Sequence, residues 1–417
     1  MHILVVADHG WINGGQAKVA IESALGLVQR GHHVTFLAAV GPIDSRLARA
    51  GVETICLNQN DIDSAPSKLG FVGQYMWNAA AAQMLRKCLA TMDPANSIVH
   101  VHAWAKAISP SIGPVLNSSP VACVYTMHEF FLVCPTGGFY DYPRGETCHR
   151  TPMSMACIKT NCDQRSYARK LMRVARQVLV STGGVLKAFR HIVFISDLQH
   201  EAASPYLPGD AKVNRISNPV DATDIGPKER AGSYFLFVGR VSREKGVEHF
   251  CEAAVRAGLV PVIAGDGPML DELKTRFPQG RYLGWQKPAE IPQLLRDARA
   301  LVFPSVWYEG QPLTVYEALA MGTPVIVSDA CAGREAVVDG QNGFVFRSAD
   351  ADSLAQAITH MQDDEVADRV TREAHARYWT SPLTLDVHLD KIETLYDQML
   401  SEKRSAIANG VLALESA

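Results

Sequence analysis

The chain has 417 residues, 47% of them hydrophobic, and its 40 lysines and arginines nearly balance its 43 aspartates and glutamates, for a net charge of −3. A chain of this length is expected to form two domains, each with its own hydrophobic core. The near balance of charge excludes a general nucleic-acid-binding protein, because such proteins need a strong excess of basic residues.

The chain shows no sign of a membrane span or an export signal. The apolar stretch Ile3–Ala7 is too short for the core of a signal peptide, and no run approaches the roughly 18 apolar residues that span a bilayer. We therefore expect a cytoplasmic protein. The nine cysteines are accordingly interpreted as thiols or metal ligands rather than disulfides.

In the first half, short β-rich segments alternate with segments of helical spacing. A strand at Met1–Ala7 is followed by a loop at Gly10–Gly15 and a helix at Ala17–Arg30, which ends at Gly31. Further strands are predicted at His33–Ala38, Ile98–His102, Val121–Met127, His191–Ser196 and Val213–Ser217. This alternation predicts a parallel sheet covered by helices.

A second series of strands follows a segment rich in turn-forming residues, Asn218–Gly232, which we interpret as a linker. These strands are predicted near Tyr234–Val238, Leu259–Ala264, Arg281–Leu283, Ala300–Phe303, Pro324–Ser328 and Gly343–Phe346. We therefore predict an α/β fold with two doubly wound domains, residues 1–221 and 222–382, facing a central cleft. A last helix, about residues 383–401, could pack back across the first domain.

Ligand sites in such sheets lie at the carboxyl ends of the strands, and the longest motif, Trp307–Ala318, follows a predicted strand. Pro312 ends its loop and Thr314 begins a helix, whose free backbone N–H groups suit a diphosphate. Glu309, in a Gly/Pro loop, has no evident structural duty. For Glu317, the pattern Thr314-x-x-Glu317 is also a capping box, and taken alone that structural interpretation is favoured.

Two further motifs follow strands of the second half. In Val238–Gly246, Arg240 and Lys245 could converge on one anion, and the flanking glycines favour close approach to a ligand. The alternative is a solvated charged loop. Gly265-Asp266-Gly267-Pro268 is a weaker signal, for which a plain turn is the default interpretation.

The first half offers two candidates. Gly14 and Gly15 precede a predicted helix and suggest another anion site at its start. Gln16-Ala17 replaces the Lys-Ser/Thr of a nucleotide-binding P-loop, and no Gly-x-Gly-x-x-Gly motif occurs. His128 ends a predicted strand, so a structural and a functional role are about equally expected for it.

In their order along the chain, these motifs resemble those of family-4 retaining glycosyltransferases of the GT-B fold. The resemblance rests on Gly14-Gly15, His128-Glu129, the Gly239–Gly246 run, Gly265–Pro268 and the pair Glu309–x(7)–Glu317. The run His128–Pro135 is similar to a bacterial subgroup linked to cell-surface polysaccharide synthesis. The resemblance covers nearly the whole chain and is most specific in its second half.

The resemblance implies a role for each matching residue. His128, Glu309, Arg240 and Lys245 would act at the reacting centre: His128 near the sugar 6-position, Glu309 on the sugar hydroxyls, and the two cations on the diphosphate. The residues implied to bind the nucleotide sugar are Gly14, Gly15, Gly239, Asp266, Gly267, Gly310, Pro312, Leu313, Thr314 and Glu317. Departures from the family pattern at Glu129, Gln311-Pro312 and Ala332–Glu335 put the identity of the sugar in doubt.

The implied reaction moves a sugar from a nucleotide-diphosphate sugar, the co-substrate, to a glycan or lipid-linked acceptor, with retention, without a metal and without another cofactor. Charge developing on the leaving diphosphate would be met by the cations and helix N–H groups. The alternatives are a GT-B-like sugar phosphorylase or epimerase, and a non-catalytic nucleotide-sugar-binding scaffold of a polysaccharide assembly complex.

Two segments remain open to more than one interpretation. Cys134, Cys148, Cys157 and Cys162 fit no compact zinc template, and we assign them no metal. Residues 165–190 carry seven basic residues and no acidic one. Four arginines, at 165, 169, 173 and 176, are predicted on one helical face. Tyr167, Leu171, Val174 and Val178 are predicted on the opposite face, where an ordinary amphipathic helix would pack on the first domain. That segment predicts either an ordinary amphipathic helix or attraction to an anionic membrane, which would place the protein at the inner face of the cell membrane.

Overall fold

The computed structural model of the chain describes residues 1–61 and 68–408. The strands of the first half are β1 (His2–His9), β2 (His33–Val40), β3 (Glu53–Cys56), β4 (Ser97–Val101), β5 (Ala122–Met127), β6 (Tyr140–Asp141), β7 (Glu146–Thr147), β8 (His191–Phe194) and β9 (Lys212–Arg215). Seven of them form a parallel sheet in the order β3-β2-β1-β4-β5-β8-β9, and β6 and β7 form a separate antiparallel pair.

The strands of the second half are β10 (Tyr234–Val238), β11 (Val262–Ala264), β12 (Arg281–Gly284), β13 (Ala298–Phe303), β14 (Val325–Ser328) and β15 (Gly343–Phe346). They form a second parallel sheet in the order β12-β11-β10-β13-β14-β15. In each sheet the chain starts in the middle, moves to one edge and then crosses to the other side, as in doubly wound nucleotide-binding folds. The predicted α/β fold of two such units is confirmed.

Helices cover both sheets. In the first half they are α1 (Gly15–Gln29), α2 (Ser45–Arg49), α3 (Lys68–Met76), α4 (Ala79–Ala90), α5 (Ile112–Asn117), α6 (Met155–Lys159), α7 (Tyr167–Thr182), α8 (Val185–Ala188) and α9 (Asp197–Ala203). They continue with α10 (Val247–Arg256), α11 (Leu270–Arg276), α12 (Ile291–Asp297), α13 (Leu313–Ala320), α14 (Ala351–His360), α15 (Asp364–Thr380) and α16 (Leu385–Ala408). Short 3₁₀ helices lie at Phe130–Leu132, Ser204–Tyr206, Arg243–Lys245, Pro288–Glu290 and Ala332–Ala336. None of the described helices is both long and apolar enough to cross a bilayer.

Successive residues of a central strand enter two different cores, one on each face of its sheet. Leu4 of β1 packs into one cluster and Ile3 and Val5 into another, and the central strand of the second sheet alternates in the same way. Burial on both faces explains why these strands are continuous apolar runs rather than alternating ones. The two sheets therefore have rigid interiors, and the polar chemistry is left to the loops at the strand ends.

The final helix, α16, lies on the first sheet although it comes last in the chain. Leu389 and Tyr396 of this helix belong to the same core as Ile3 and Val5 of β1. Gly26 of α1 permits the contact, because a Cβ atom at that position would come within 2.4 Å of Leu389 Cδ1. The chain thus returns from the second half and closes the core of the first.

Helix α7 is turned the opposite way from the sequence-based interpretation. Tyr167, Leu171 and Val178 were expected to pack inward, but they are exposed, with 38%, 41% and 47% of their surface accessible. Arg176, expected on a basic outer face, is buried, and Arg173 forms an ion pair with buried Asp163. Hydrophobic periodicity predicts an amphipathic helix. It does not predict which face packs inward when the protein interior supplies hydrogen-bond and ion-pair partners for the polar face.

Candidate functional site

Two helix starts face each other between the sheets. A Cβ atom on Gly15, the first residue of α1, would lie 3.8 Å from Leu313 Cδ1, on the first residue of α13. Their N-cap residues, Gly14 and Pro312, supply no capping side chain, and neither first turn has an acidic residue. The free N–H groups and the positive ends of both helix dipoles therefore point into the same region, an arrangement that favours an anion.

Glu317 lies inside α13, and its capping-box interpretation is wrong. The helix begins at Leu313 after an N-cap at Pro312, so Thr314 already has helical neighbours and its hydroxyl caps nothing. Burial raises the pKa of Glu317, while the nearby ammonium of Lys18, on α1, lowers it. Among the described residues, no hydrogen bond or ion pair holds this carboxyl group, which lies near the two helix starts.

A cavity of about 580 Å³ opens at the carboxyl ends of β10 and β11. Its lining includes Gly239, Arg240, Asp266 and Gly267, all predicted to be ligand contacts, together with Trp285. Trp285 is 67% exposed, the largest exposed fraction of any large hydrophobic residue described. We did not predict this residue from the sequence, although its place directly after β12 is a usable signal, because ligands bind beyond strand ends.

Glycine is required where the loops after β10 and β11 touch. A Cβ atom on Gly265 would lie 1.8 Å from the carbonyl oxygen of Gly239, and one on Gly267 would lie 2.3 Å from that of Val241. Any side chain at either position would push the two loops apart. The Gly-Asp-Gly motif is therefore more than a plain turn, because it lets two loops share one wall of the cavity.

Lys245 and Glu309 form an ion pair with a 2.5 Å separation between Lys245 Nζ and Glu309 Oε1. Both side chains are largely buried, with 18% and 19% of their surface exposed. Trp307 Nε1 and Ser305 Oγ lie 3.3 Å from the other carboxylate oxygen, so three donors fix the orientation of Glu309. Lys245 meets this carboxylate, whereas Arg240 lines the neighbouring cavity with Asp266.

Gly310 and Gln311 connect this loop to the first half of the chain. A Cβ atom on Gly310 would come within 3.1 Å of Gln199 Nε2, which belongs to α9. The Gln311 amide accepts a hydrogen bond from Asn218 N at 2.6 Å and donates one to Asn218 O at 3.1 Å. Gln311, one of the departures from the family pattern, thus fixes the loop to the segment that joins the two sheets.

Glu335 makes a second contact across the cleft that the sequence did not predict. Its carboxylate accepts hydrogen bonds from Asp197 N at 3.1 Å and Leu198 N at 2.8 Å, at the start of α9. Arg215 Nη2 donates to the same carboxylate at 3.1 Å. A residue of the second half therefore caps a helix of the first half. These hydrogen bonds and the ion pair with Arg215 help to fix the position of one sheet relative to the other.

His128, at the carboxyl end of β5, belongs to a row of buried histidines. Its Nε2 lies 3.3 Å from Nδ1 of His102, whose ring packs against that of His100 at a centroid distance of 4.0 Å. His100 bonds through Nδ1 to the hydroxyl of Tyr396, on α16, at 2.6 Å. Burial lowers the pKa of His128 to about 3 and holds that of His102 well below its usual range, so both rings are neutral near pH 7. We did not predict His102 as a site residue from the sequence.

The segment that contains β6, β7 and α6 packs against the loop before Glu309. Thr147 Oγ1 donates a hydrogen bond to Val306 O at 3.2 Å. A Cβ atom on Gly138 would lie 3.2 Å from the ring of Trp307. This segment, which we did not predict, therefore supports the indole that orients Glu309.

The four cysteines at 134, 148, 157 and 162 lie in or beside this segment and are free thiols. Cys157 and Cys162 accept hydrogen bonds from the buried ammonium of Lys170 at 3.4 and 3.3 Å. In the part of the chain that the structure describes, the one group of three potential metal-ligand atoms within 4.8 Å of one another is His2, His33 and Glu53, at the opposite edge of the first sheet. The cysteines are not gathered into such a group.

Comparison with known proteins places this site in a family. A sequence model described as "Glycosyl transferases group 1" matches residues 224–378. A glycogen synthase of Mycobacterium tuberculosis is 30% identical over 297 residues, covering 66% of this chain and 68% of the relative. An Escherichia coli UDP-Gal:alpha-D-GlcNAc-diphosphoundecaprenol alpha-1,3-galactosyltransferase is 28% identical over 215 residues, or 47% of this chain. The match spans only 54% of that relative's length.

Solved structures agree in fold. Sucrose-phosphate synthase from Thermosynechococcus elongatus superposes with a TM-score of 0.67 at 17% identity, covering 96% of this chain and 99% of the other. HepE of Anabaena, in complex with UDP and glucose, gives 0.65 at 16% identity, covering 95% of this chain and 100% of the other. These likenesses confirm the GT-B arrangement of two doubly wound units. The glycogen synthase match, together with the sequence model, leads to one conclusion: the chain belongs to the family of group 1 glycosyl transferases.

Proposed function

We propose that the protein transfers a sugar from a nucleotide-diphosphate sugar to a glycan or lipid-linked acceptor in the cleft between the two sheets. The anomeric configuration is retained, and no metal takes part. The observation that carries this proposal is the Lys245–Glu309 ion pair of 2.5 Å, set beside the cavity that Arg240 lines. The cations would bind the diphosphate, and the oriented carboxylate would bind the hydroxyls of the sugar.

The diphosphate binds between the facing helix starts. Neither α1 nor α13 has a capping side chain, so backbone N–H groups at Gly15, Leu313 and Thr314 are free to donate to phosphate oxygens. Arg240 offers a planar fork of donors and Lys245 a mobile point charge. The site thus supplies positive potential without a metal ion.

The nucleoside lies in the cavity at the ends of β10 and β11. Trp285 offers an exposed flat face there, suited to stacking against a base. Glu317 is a partly buried carboxyl group, and the two hydroxyls of a ribose would supply it with hydrogen-bond donors. Both features favour a nucleotide donor over a plain sugar phosphate.

The sugar binds between the two sheets, against Glu309 from one side and His128 from the other. The bond between the anomeric carbon and the diphosphate oxygen breaks, and the acceptor oxygen bonds to the same face of that carbon. The acceptor proton goes to the departing diphosphate oxygen. Arg240 and Lys245 accelerate the step because the diphosphate gains negative charge in the transition state, which strengthens its interaction with fixed cations.

Purified protein tests the proposal directly. Incubated with a panel of nucleotide-diphosphate sugars, it should gain about 2.7 kcal/mol of stability from its true donor at roughly 100 times the Kd. Transfer should continue in EDTA, and NMR of the product should show the donor's anomeric configuration. Donor conversion without transfer would indicate an epimerase, a need for pyridoxal phosphate would indicate a phosphorylase, and binding without turnover would indicate a scaffold.

Substitution of the two glutamates separates their roles. Glu309→Gln should lower both kcat and kcat/KM while the affinity for the nucleoside diphosphate stays near normal, because this carboxylate acts on the sugar. Glu317→Gln, which touches the ribose instead, should mainly weaken nucleotide binding. Transfer kinetics and calorimetry measure both effects, and normal turnover by Glu309→Gln would remove its assigned role.

Loss of either cation should slow the reaction strongly. Arg240→Ala and Lys245→Ala should each reduce kcat by about a hundred- to a thousandfold, the usual effect of removing one preorganised electrostatic partner. The double variant should lose less than the product of the two, because both residues act on one diphosphate. Lys274→Ala, at an exposed position on α11, is the matched control. Full kcat in either folded variant would refute that residue's role.

His102 should act on the reaction through His128. If Nδ1 of His102 carries the proton, it donates to Nε2 of His128 and leaves the Nδ1–H of His128 as a donor towards the cleft. His102→Leu should then lower kcat about tenfold, the value of one hydrogen bond near 1.4 kcal/mol. His102→Asn, which keeps a donor near that place, should restore most of the rate. Equal losses in both variants, or a loss in nucleotide affinity instead, would indicate a purely structural histidine.

A further inference from the structure

Helix α7 presents an apolar face to the outside of the first domain. Tyr167, Leu171 and Val178 follow one another at spacings of four and seven residues, which place them on one side of a helix. Their exposed fractions are 38%, 41% and 47%. Ala168 and Ala175, also exposed, widen this strip without interrupting it. We name it the outer face of α7.

Polar contacts on the other side hold the helix in this orientation. Lys170 is fully buried, with its ammonium on the sulfurs of Cys157 and Cys162. Gln177 Nε2 donates to Leu132 O at 2.9 Å. A rotation that buried the outer face would break these bonds and strip a buried charge of its partners, which is costly.

Arg176 strengthens the same constraint. Its Nε donates to Tyr75 O at 3.1 Å, and its guanidinium lies over the rings of Tyr75 and Trp104, at 4.5 and 5.1 Å from their centroids. Arg173 pairs with Asp163 and donates to Thr136 O at 3.2 Å. The outward position of the apolar residues is therefore specified by the inner contacts.

The apolar surface continues beyond the end of α7. Trp77, which follows α3, is 42% exposed, and its ring would lie 3.4 Å from a Cβ atom on Gly183. Val72 of α3 is 36% exposed. Soluble proteins seldom expose several large apolar side chains side by side without a binding partner. Tryptophan and tyrosine at the ends of such a strip are typical of the membrane–water interface.

The surroundings of this strip are basic. Residues 164–190 contain seven lysines and arginines and no acidic residue. Lys170, Arg173 and Arg176 are inside the protein or paired. Arg165 also has a partner, and Arg169 lies on the side of α7 away from the strip. Lys187 and Arg190 are exposed in the segment that directly follows the end of α7. An apolar strip followed by two exposed cations, with no acidic residue in the same stretch of chain, complements a bilayer with anionic head groups rather than the mixed surface of a protein partner.

We propose that the outer face of α7, extended by Trp77, docks on an anionic lipid bilayer by inserting its apolar side chains into the interface. The basic residues beside it contact the head groups and set the lipid preference. This differs from the electrostatic attachment suggested by the sequence, because the arginines at 173 and 176 are committed to the interior.

Docking in this way places the cleft next to the membrane. The inner side of α7 holds the backbone of Leu132 and Thr136, in the loop that follows His128 and Glu129. A lipid-linked acceptor in the bilayer would therefore approach the side of the cleft where His128 lies. This last step rests on the proposed function, whereas the docking itself rests on the surface alone.

Sedimentation with vesicles tests the proposal. The full chain should bind vesicles of phosphatidylglycerol and phosphatidylcholine, and more weakly those of phosphatidylcholine alone. Leu171→Ser with Val178→Ser should weaken binding at least about tenfold, because each residue contributes apolar burial. Lys187→Gln with Arg190→Gln should instead reduce the preference for the anionic vesicles. High salt should abolish only the part that depends on charge.

The same serine variant should keep its circular-dichroism spectrum and its turnover with a soluble acceptor, because neither residue belongs to the cleft. Unchanged vesicle binding by this variant would overturn the proposal, as would the absence of binding by the wild-type chain. Sedimentation equilibrium without lipid gives a further check. If the wild-type chain is a dimer and the serine variant is a monomer, a second copy of the chain, rather than a bilayer, covers the outer face of α7. Transfer without docking, or docking without transfer, shows which of the two proposals has failed.

Discussion

Parallel strand pairing is the constraint on which the rest of the molecule depends. In the two parallel sheets it brings the carboxyl ends of the strands to one edge, where most of the following helices begin. Because the two sheets face one another, the starts of α1 and α13 meet, and neither is capped by a side chain. Backbone geometry alone thus creates a positive region before any charged side chain is added.

The charged residues in the cleft are partly held by one another in the structure. Lys245 neutralises Glu309, which Trp307 and Ser305 also hold, so a largely buried carboxylate and a largely buried ammonium each have a partner. A bound diphosphate would compete for the lysine and leave the carboxylate to the sugar. The segment that packs against Trp307 and the hydrogen bonds of Glu335 both cross between the two halves of the chain. The pairing of Lys245 with Glu309 therefore depends on the relative position of the sheets.

The first domain inverts the usual arrangement of an amphipathic helix. Lys170, Arg176 and Gln177 are buried, and each has polar or aromatic partners, while leucine and valine face outward. The polar side of α7 donates hydrogen bonds to the loop after His128. The apolar side is not covered by other described residues. One helix thereby links the shape of the cleft to the outer surface of the protein.

The two α/β units could be predicted from the residues alone, because apolar runs, glycines and strand-end motifs are local signals that do not depend on distant parts of the chain. The sequence also identified Glu309, Lys245, Arg240 and His128 as candidates. The folded chain was needed to show which of these residues meet and that His102, Trp285 and Glu335 lie beside them. It was also needed to show that the apolar face of α7 is turned outward. Those outcomes depend on partners distant in the chain, such as Cys157 for Lys170 or Leu198 for Glu335. The spacing of apolar residues shows which side chains share a face of a helix. It does not show which polar groups in the protein interior will bind the side chains on the other face.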